Sequence, residues 1–276
     1  MQKSNIAILT TVANFELYGI TSKLFPPDIK KYVIDGRNGM HGMHSINYMF
    51  HKLSNKNIDW LILADEDVVF KNAEAVYSII SKMKAENLSV CGVRDGGIIS
   101  HRNYNPIAIN TFFSIINFKE ILKIWNKEEV KKHQYILPSE FEFDKTQLNG
   151  LFDIHSLYEP YYCFFFWLKR KGKRFLYIDS QMLDDNISNA LVFEGEVFAY
   201  HTWHARSYKV NEKHTVRINK VLKEMQIEFN SSALDSNVVI FKDRFFFIKM
   251  KIKKTYKKIL NKLKMLLNKI MLLWRA

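Results

Sequence analysis

Three consecutive acids close an apolar run in Leu61-Ile62-Leu63-Ala64-Asp65-Glu66-Asp67, and Val68-Val69-Phe70 follows at once. In an extended chain Asp65 and Asp67, two residues apart, project to the same side. Two carboxylates held together at the end of a buried strand suit a hard divalent cation, Mg2+ or Mn2+. Such an ion prefers carboxylate oxygens and keeps positions open for substrate phosphates. A solvated acidic strand end is the plain alternative. The position of the triplet, directly after an apolar strand in the third strand-helix unit, favours the cation.

The elements that must position this triplet alternate from the start of the chain, the pattern of an α/β protein with a largely parallel sheet. Asn5–Val12, Tyr32–Ile34, Trp60–Ala64 and Leu88–Val93 read as strands. Between them, His44–Leu53 and Ala73–Ala85 carry apolar residues at helical spacing. The strand ends would direct their loops to one edge, where open α/β sheets bind ligands. Further on, Ile107–Ile116 reads as a strand or hairpin, Phe118–Trp125 as a helix, and Asn126–Lys132 as an exposed connector. Residues 133–149 have no period and read as loop. Tyr158–Arg170 is expected as a helix with Pro160 in its first turn, ended by Gly172. Phe175–Ile178 and Val197–Trp203 are expected as strands, the latter leading through His201 to His204.

Composition narrows the class. With 47% hydrophobic residues in 276, the chain can bury a sizeable core and is not a disordered polymer. Residues 242–276 hold twelve basic residues and one acid, a net +11 out of +13 for the whole, which leaves the body at +2. A nearly neutral globule with a cationic tail is unlike a uniformly basic nucleic-acid binder. Cys91 and Cys163 are isolated thiols without disulfide or zinc spacing. The amino end lacks a small-residue cleavage site, so Ile6–Leu9 is expected to open a first strand rather than a leader. No apolar stretch approaches the ~20 residues that span a bilayer. The expected location is therefore cytoplasmic, free or on a membrane surface.

The opening strand with Thr10-Thr11, the Val33-Ile34-Asp35-Gly36 strand and loop, the His44–Leu53 helix and the strand into Asp65-Glu66-Asp67 together resemble the nucleotide-sugar-binding half of a GT-A glycosyltransferase, similar to the bacterial family 2 enzymes. The resemblance covers the first hundred residues and continues more weakly to about Tyr208. It implies a Rossmann-like, mixed but mostly parallel sheet flanked by helices, with residues 1–241 as catalytic domain: 1–100 for the nucleotide sugar and 101–241 for the acceptor. It implies nucleotide contacts at Thr10, Thr11, Asp35 and Asp65, and metal contacts at Asp65 and Asp67. Family members often carry two acids where this chain has Asp35-Gly36. For inverting transfer the resemblance implies Glu159 as the base that takes the acceptor proton, with Asp153 as its substitute. Pro160 stands where the family more often has a second acid. A histidine completing the metal site is implied at His201, or else His204. A neutral imidazole suits Mn2+ better than Mg2+. Arg206 and Lys209 would offset charge on the diphosphate.

Other readings find less support. Gly36, Gly39 and Gly42 do not form a dinucleotide turn, and no Walker or nucleophile-elbow motif occurs. The Gln-x-x-Arg-Trp signature of processive synthases is absent, which implies addition of one sugar. A sugar-phosphate nucleotidyltransferase would show a Gly-rich basic loop where Thr10-Thr11-Val12-Ala13-Asn14 stands. A non-catalytic membrane scaffold would need only the tail. In that tail, Ile252, Tyr256, Ile259, Leu260, Leu263, Leu266, Leu267, Ile270, Leu273 and Trp274 recur at helical steps opposite lysines. Such an amphipathic helix can lie on anionic lipid. The expectation is a metal-dependent enzyme on the inner face of the cytoplasmic membrane. It would move a sugar from a nucleoside diphosphate donor to a glycan or lipid-linked acceptor in lipopolysaccharide, lipooligosaccharide or capsule assembly, with no nucleic-acid partner.

Overall fold

The computed structural model describes residues 5–226 and 233–273, and for 266–273 the backbone only. Two sheets share the work. The larger has seven strands in the order β11-β2-β1-β3-β6-β5-β7. These are β1 (Ile6–Val12), β2 (Lys30–Asp35), β3 (Trp60–Ala64), β5 (Val90–Arg94), β6 (Ile109–Asn117), β7 (Phe175–Tyr177) and β11 (Val239–Phe241). All neighbours are parallel except those of β6, which runs antiparallel to both β3 and β5. This mixed, mostly parallel α/β architecture is the one that the GT-A resemblance implies.

Period-two alternation makes the large sheet the middle of three layers. Ile6, Ile8, Val33 and Ile62 face one core with α3 (Ala75–Ala85), whose Val76, Ile79, Ile80 and Met83 are fully buried. Ala7, Leu9, Ile34 and Leu61 face the other with α2 (Gly42–Leu53) and α6 (Tyr162–Arg170). Helix α6 is buried from Tyr162 to Leu168, and burying aromatic side chains of that size contributes about 1.5–3 kcal/mol each.

The second sheet has four antiparallel strands in the order β4-β10-β9-β8: β4 (Val68–Phe70), β8 (Asp179–Met182), β9 (Asn189–Phe193) and β10 (Glu196–His201). The chain leaves the large sheet at Ala64, turns through the acidic triplet and enters the small sheet at Val68. The triplet is thus the hinge between two sheets, not merely the end of one.

Several expected boundaries move. The helix expected from Tyr158 starts at Tyr162, so Glu159 and Pro160 lie in the preceding turn, where the Tyr162 amide donates to the Glu159 carbonyl at 3.1 Å. A residue before proline is pushed out of the α region, which keeps Glu159 from joining the helix. The strand expected through Trp203 stops at His201. The connector 126–132 contains a short helix, α5 (Lys127–Val130), capped by the Asn126 side chain, with Val130 buried. Helices α1 (Phe15–Thr21), α4 (Phe118–Ile124) and α7 (Glu212–Glu224) complete the body, and α8 (Phe246–Leu273) forms the basic tail. Ile252, Tyr256, Ile259, Leu260 and Leu263 of that tail are exposed. The side chains of Leu266, Leu267, Ile270 and Leu273, and Trp274 altogether, lie outside the described residues. Among the described residues no helix is long and apolar enough to cross a membrane.

Candidate active site

Asp67 and His201 meet because β4 pairs with β10, with Val68 opposite His201. Just past that pair the Thr202 amide donates to the Asp67 carbonyl at 3.1 Å. His201 Nε2 lies 3.3 Å from Asp67 Oδ1, with both side chains buried. Its ring lies flat on Phe112 at 4.0 Å and against Trp203 at 4.3 Å. Packing therefore fixes the imidazole plane. The Nδ1 atom has no hydrogen-bond partner among the described residues. Asp65 completes the group: one ligand atom each from Asp65, Asp67 and His201 all fall within 4.8 Å of one another. Two carboxylates and one imidazole nitrogen fit a divalent ion such as Mn2+.

Electrostatics agree with that donor set. Desolvation, then Glu66 and Asp67, push the Asp65 carboxyl well above its ordinary range, and Arg206 opposes them. Burial and Asp67 push Glu66 up to about 7. Glu66 points away from the group: it accepts from the amides of Ala13 at 2.9 Å and Asn14 at 3.1 Å. It thereby ties the loop after β1 to the triplet. Acids crowded out of water without enough cations nearby favour a bound metal.

The group opens into a cleft of about 590 Å³ at the strand ends. Of the residues expected from sequence, Thr11, Asp65, Asp67, Glu159, His201, His204 and Arg206 line it. His204 is outside the three-residue group; its exposed ring packs on His214 at 4.2 Å. Four expected residues are not in the lining. The Thr10 side chain is buried. Asp35 is buried and gripped by Arg37, whose Nε and Nη2 donate at 2.9 and 2.7 Å, and this bond holds the Asp35 pKa below the ordinary carboxylate value. Gly36 reaches the cleft instead. Its amide donates to the Val12 carbonyl at 2.8 Å, and a Cβ there would stand 3.0 Å from the Met40 carbonyl oxygen. Asp153 is exposed and accepts from the His155 amide at 2.9 Å. Lys209 is exposed and pairs with Glu16.

Sequence reasoning missed a polar hub beside the cleft. Asp95, fully buried after β5, accepts from Arg102 Nε and Nη2 at 2.7 Å each, from Asn110 Nδ2 at 2.6 Å, and from the hydroxyls of Tyr161 and Tyr162. Arg102 Nη2 also donates to Glu159 Oε1 at 3.0 Å. Burial works against the Arg102 charge, but Asp95 outweighs it and holds the guanidinium above its ordinary pKa. Arg102, Asn110, Glu159 and Tyr161 all line the cleft. The available signal was an acid directly after a buried strand, Val93-Arg94-Asp95-Gly96, as in the metal triplet.

Trp203 and His204 are consecutive residues in the left-handed region, with φ of 57° and 61°, a costly conformation for side chains of this size. Arg217 Nη2 donates to the Trp203 carbonyl at 3.0 Å, and Trp203 Nε1 donates to Asn189 Oδ1 at 2.7 Å. These bonds hold the turn that carries Arg206 over the cleft.

No protein-family model matches the sequence, and no curated protein matches it. Solved structures similar to the chain include a mannosyltransferase from Pyrobaculum calidifontis in complex with GDP-Man and Mn2+, at 8% identity and TM-score 0.33, covering 54% of this chain and 54% of that one. The chain thus spans about half the length of that protein. A glycosyltransferase involved in glycosylation of the PBCV-1 major capsid is matched at 14% identity and TM-score 0.36, over 63% of this chain and 81% of that one. A 4-diphosphocytidyl-2C-methyl-D-erythritol synthase from Anaerococcus prevotii is matched at 12% identity and TM-score 0.41, over 80% of this chain and all of that one. The fold and the site together define a mixed, mostly parallel α/β protein that gathers Asp65, Asp67 and His201 at its strand ends.

Proposed function

We propose that the chain is a metal-dependent, inverting glycosyltransferase. It moves one sugar from a nucleoside diphosphate donor to a glycan or lipid-linked acceptor of lipopolysaccharide, lipooligosaccharide or capsule. The observation that carries this reading is the convergence of Asp65, Asp67 and His201 on one point of the cleft. A cation bound there would neutralise a diphosphate leaving group. Asp67 and His201 would hold that ion, Asp65 would face both ion and nucleotide, and Arg206 would meet the phosphate charge. Glu159, in the same cleft, would take the proton from the acceptor hydroxyl, its carboxylate kept in place by Arg102. The basic tail, residues 242–276, would attach the enzyme to the inner face of the cytoplasmic membrane through anionic lipid.

The test is isothermal calorimetry of the purified protein with UDP, GDP, CDP, CMP and TDP, with and without Mn2+, repeated on Asp67→Ala. Binding of one nucleotide that needs both Mn2+ and Asp67 supports the reading and names the donor class. A folded protein that binds none of them overturns it.

A further inference from the structure

Helix α8 does not leave the body at a random place. Phe246 packs edge-on against His44 of α2 at 5.3 Å, and Asn38 Nδ2 donates to the Asp243 carbonyl at 2.8 Å. The tail therefore starts on α2, which shares one buried core with α6 and with Val130 of α5. The residue that follows this region, Gln134, donates through Nε2 to the carbonyls of Leu157 at 3.2 Å and Glu159 at 3.0 Å, and accepts from the Cys163 amide at 2.9 Å. The chain around it exposes apolar side chains: Tyr135 at 41%, Leu137 at 55%, Leu157 at 42% and Tyr158 at 61%. Tyr158 stacks on Tyr104 at 4.1 Å, and Tyr104 lies under Arg102 at 4.5 Å. An apolar rim thus adjoins Glu159, on the side of the large sheet where the tail begins.

We propose that this rim and the tail form one docking surface for an anionic lipid bilayer, so that the cleft opens at the membrane beside Glu159 and receives an acceptor carried on a lipid. The identity of the acceptor rests on the transferase reading above; the docking itself does not. Charge selects this occupant. From Lys249 to Met265 there are eight lysines and no acid, and Lys127 and Lys132 are exposed beside the rim, while Lys131 is paired with Glu128 at 2.8 Å. Two such tails packed as a dimer would set like charges together. Nucleic acid would leave Ile252, Tyr256, Ile259 and Leu263 uncovered, whereas the headgroup boundary takes apolar and cationic side chains at once.

The test uses the full chain with one added cysteine carrying an environment-sensitive NBD dye, at Leu157→Cys or at Glu194→Cys. Cys91 and Cys163 are buried. Glu194 pairs with Lys82 of α3, on the opposite side of the large sheet. Vesicles of phosphatidylcholine with one third phosphatidylglycerol should shift the dye at 157 to the blue and leave that at 194 unchanged, and phosphatidylcholine alone should shift neither. Leu137→Ser with Leu157→Ser should weaken co-sedimentation with the anionic vesicles about tenfold. The proposal is overturned if the protein ignores anionic vesicles, if it sediments with them while the dye at 157 stays unshifted, or if the tail forms a dimer in their absence. These readouts need no catalysis, so nucleotide binding can fail while docking holds, and the reverse.

Discussion

Arg102 is joined to Asp95 by two parallel hydrogen bonds of 2.7 Å beneath the cleft floor. The pair is a bidentate ion pair with Asp95 wholly removed from water, and removing one partner would leave the other charged and unmatched. Asp95→Ala should lower stability by about 3–5 kcal/mol, read as a fall in the urea midpoint. Arg102→Gln should cost less, because Asp95 keeps Asn110 and two tyrosine hydroxyls. It would also release Glu159, so turnover should fall by more than the loss of stability explains.

Metal binding should separate the two histidines. On the proposed reading Asp67→Ala and His201→Ala should each weaken Mn2+ binding at least tenfold in calorimetry, since each would remove one of three protein ligands. His204→Ala should leave the Mn2+ affinity within about twofold. Equal losses at His201 and His204 would reassign the third ligand.

Gly96 stands where a Cβ would fall 2.0 Å from the Tyr104 carbonyl oxygen. It forms an isolated antiparallel bridge to Asn103, next to Arg102. Because the obstacle is backbone, Gly96→Ala should cost more than about 2 kcal/mol, read as a fall in the urea midpoint. Gly172→Ala is the control: no atom lies near its Cβ, and only its φ of 71° opposes the change. Its cost should be about 1 kcal/mol, seen in the same unfolding experiment.

Lys169 supplies a pH dependence. Burial, then Arg94, lower its pKa from 10.5 to about 8, and its Nζ lies over the Phe175 ring at 4.4 Å. Between those two values the unfolded chain holds a proton that the folded protein has released, so this residue makes the protein more stable as pH rises from about 8 to about 10.5. Partial exposure screens the effect, and a gain of about 1–2 kcal/mol is expected. Lys169→Met should abolish that gain when the two proteins are compared by chemical denaturation at each pH.

Much of the first hundred residues is written plainly in the chain. Trp60–Ala64 needs only five apolar residues bounded by acids to be read as a buried strand, and its residues match the observed β3. The small sheet was less legible. Val68–Phe70 is too short to stand out, and it becomes a strand only because β10 returns from far along the chain to pair with it. The same long-range pairing brings His201 to Asp67, which the resemblance implied but no local spacing could show. Asp95 stayed hidden for a related reason: its significance lies in Arg102, Asn110, Tyr161 and Tyr162, scattered over three segments. Glu159 illustrates the opposite case, where a local proline effect was present in the sequence and moved the helix start by several residues.

The edge strand β11 carries a consequence for biosynthesis. Among the described residues it is the last strand in chain order, yet it pairs in parallel with β2, far earlier in the chain, and Phe241 stacks on Tyr32 at 5.7 Å. Until residues 239–241 leave the ribosome, the outer edge of β2 has no neighbour, and a bare, flat edge invites pairing with other nascent chains. The exposed backbone is covered only as the lysine-rich segment behind it emerges. The chain thus keeps an aggregation-prone edge open while everything from β3 to α7 is being made, and truncation before Val239 should yield insoluble protein even with the whole cleft encoded.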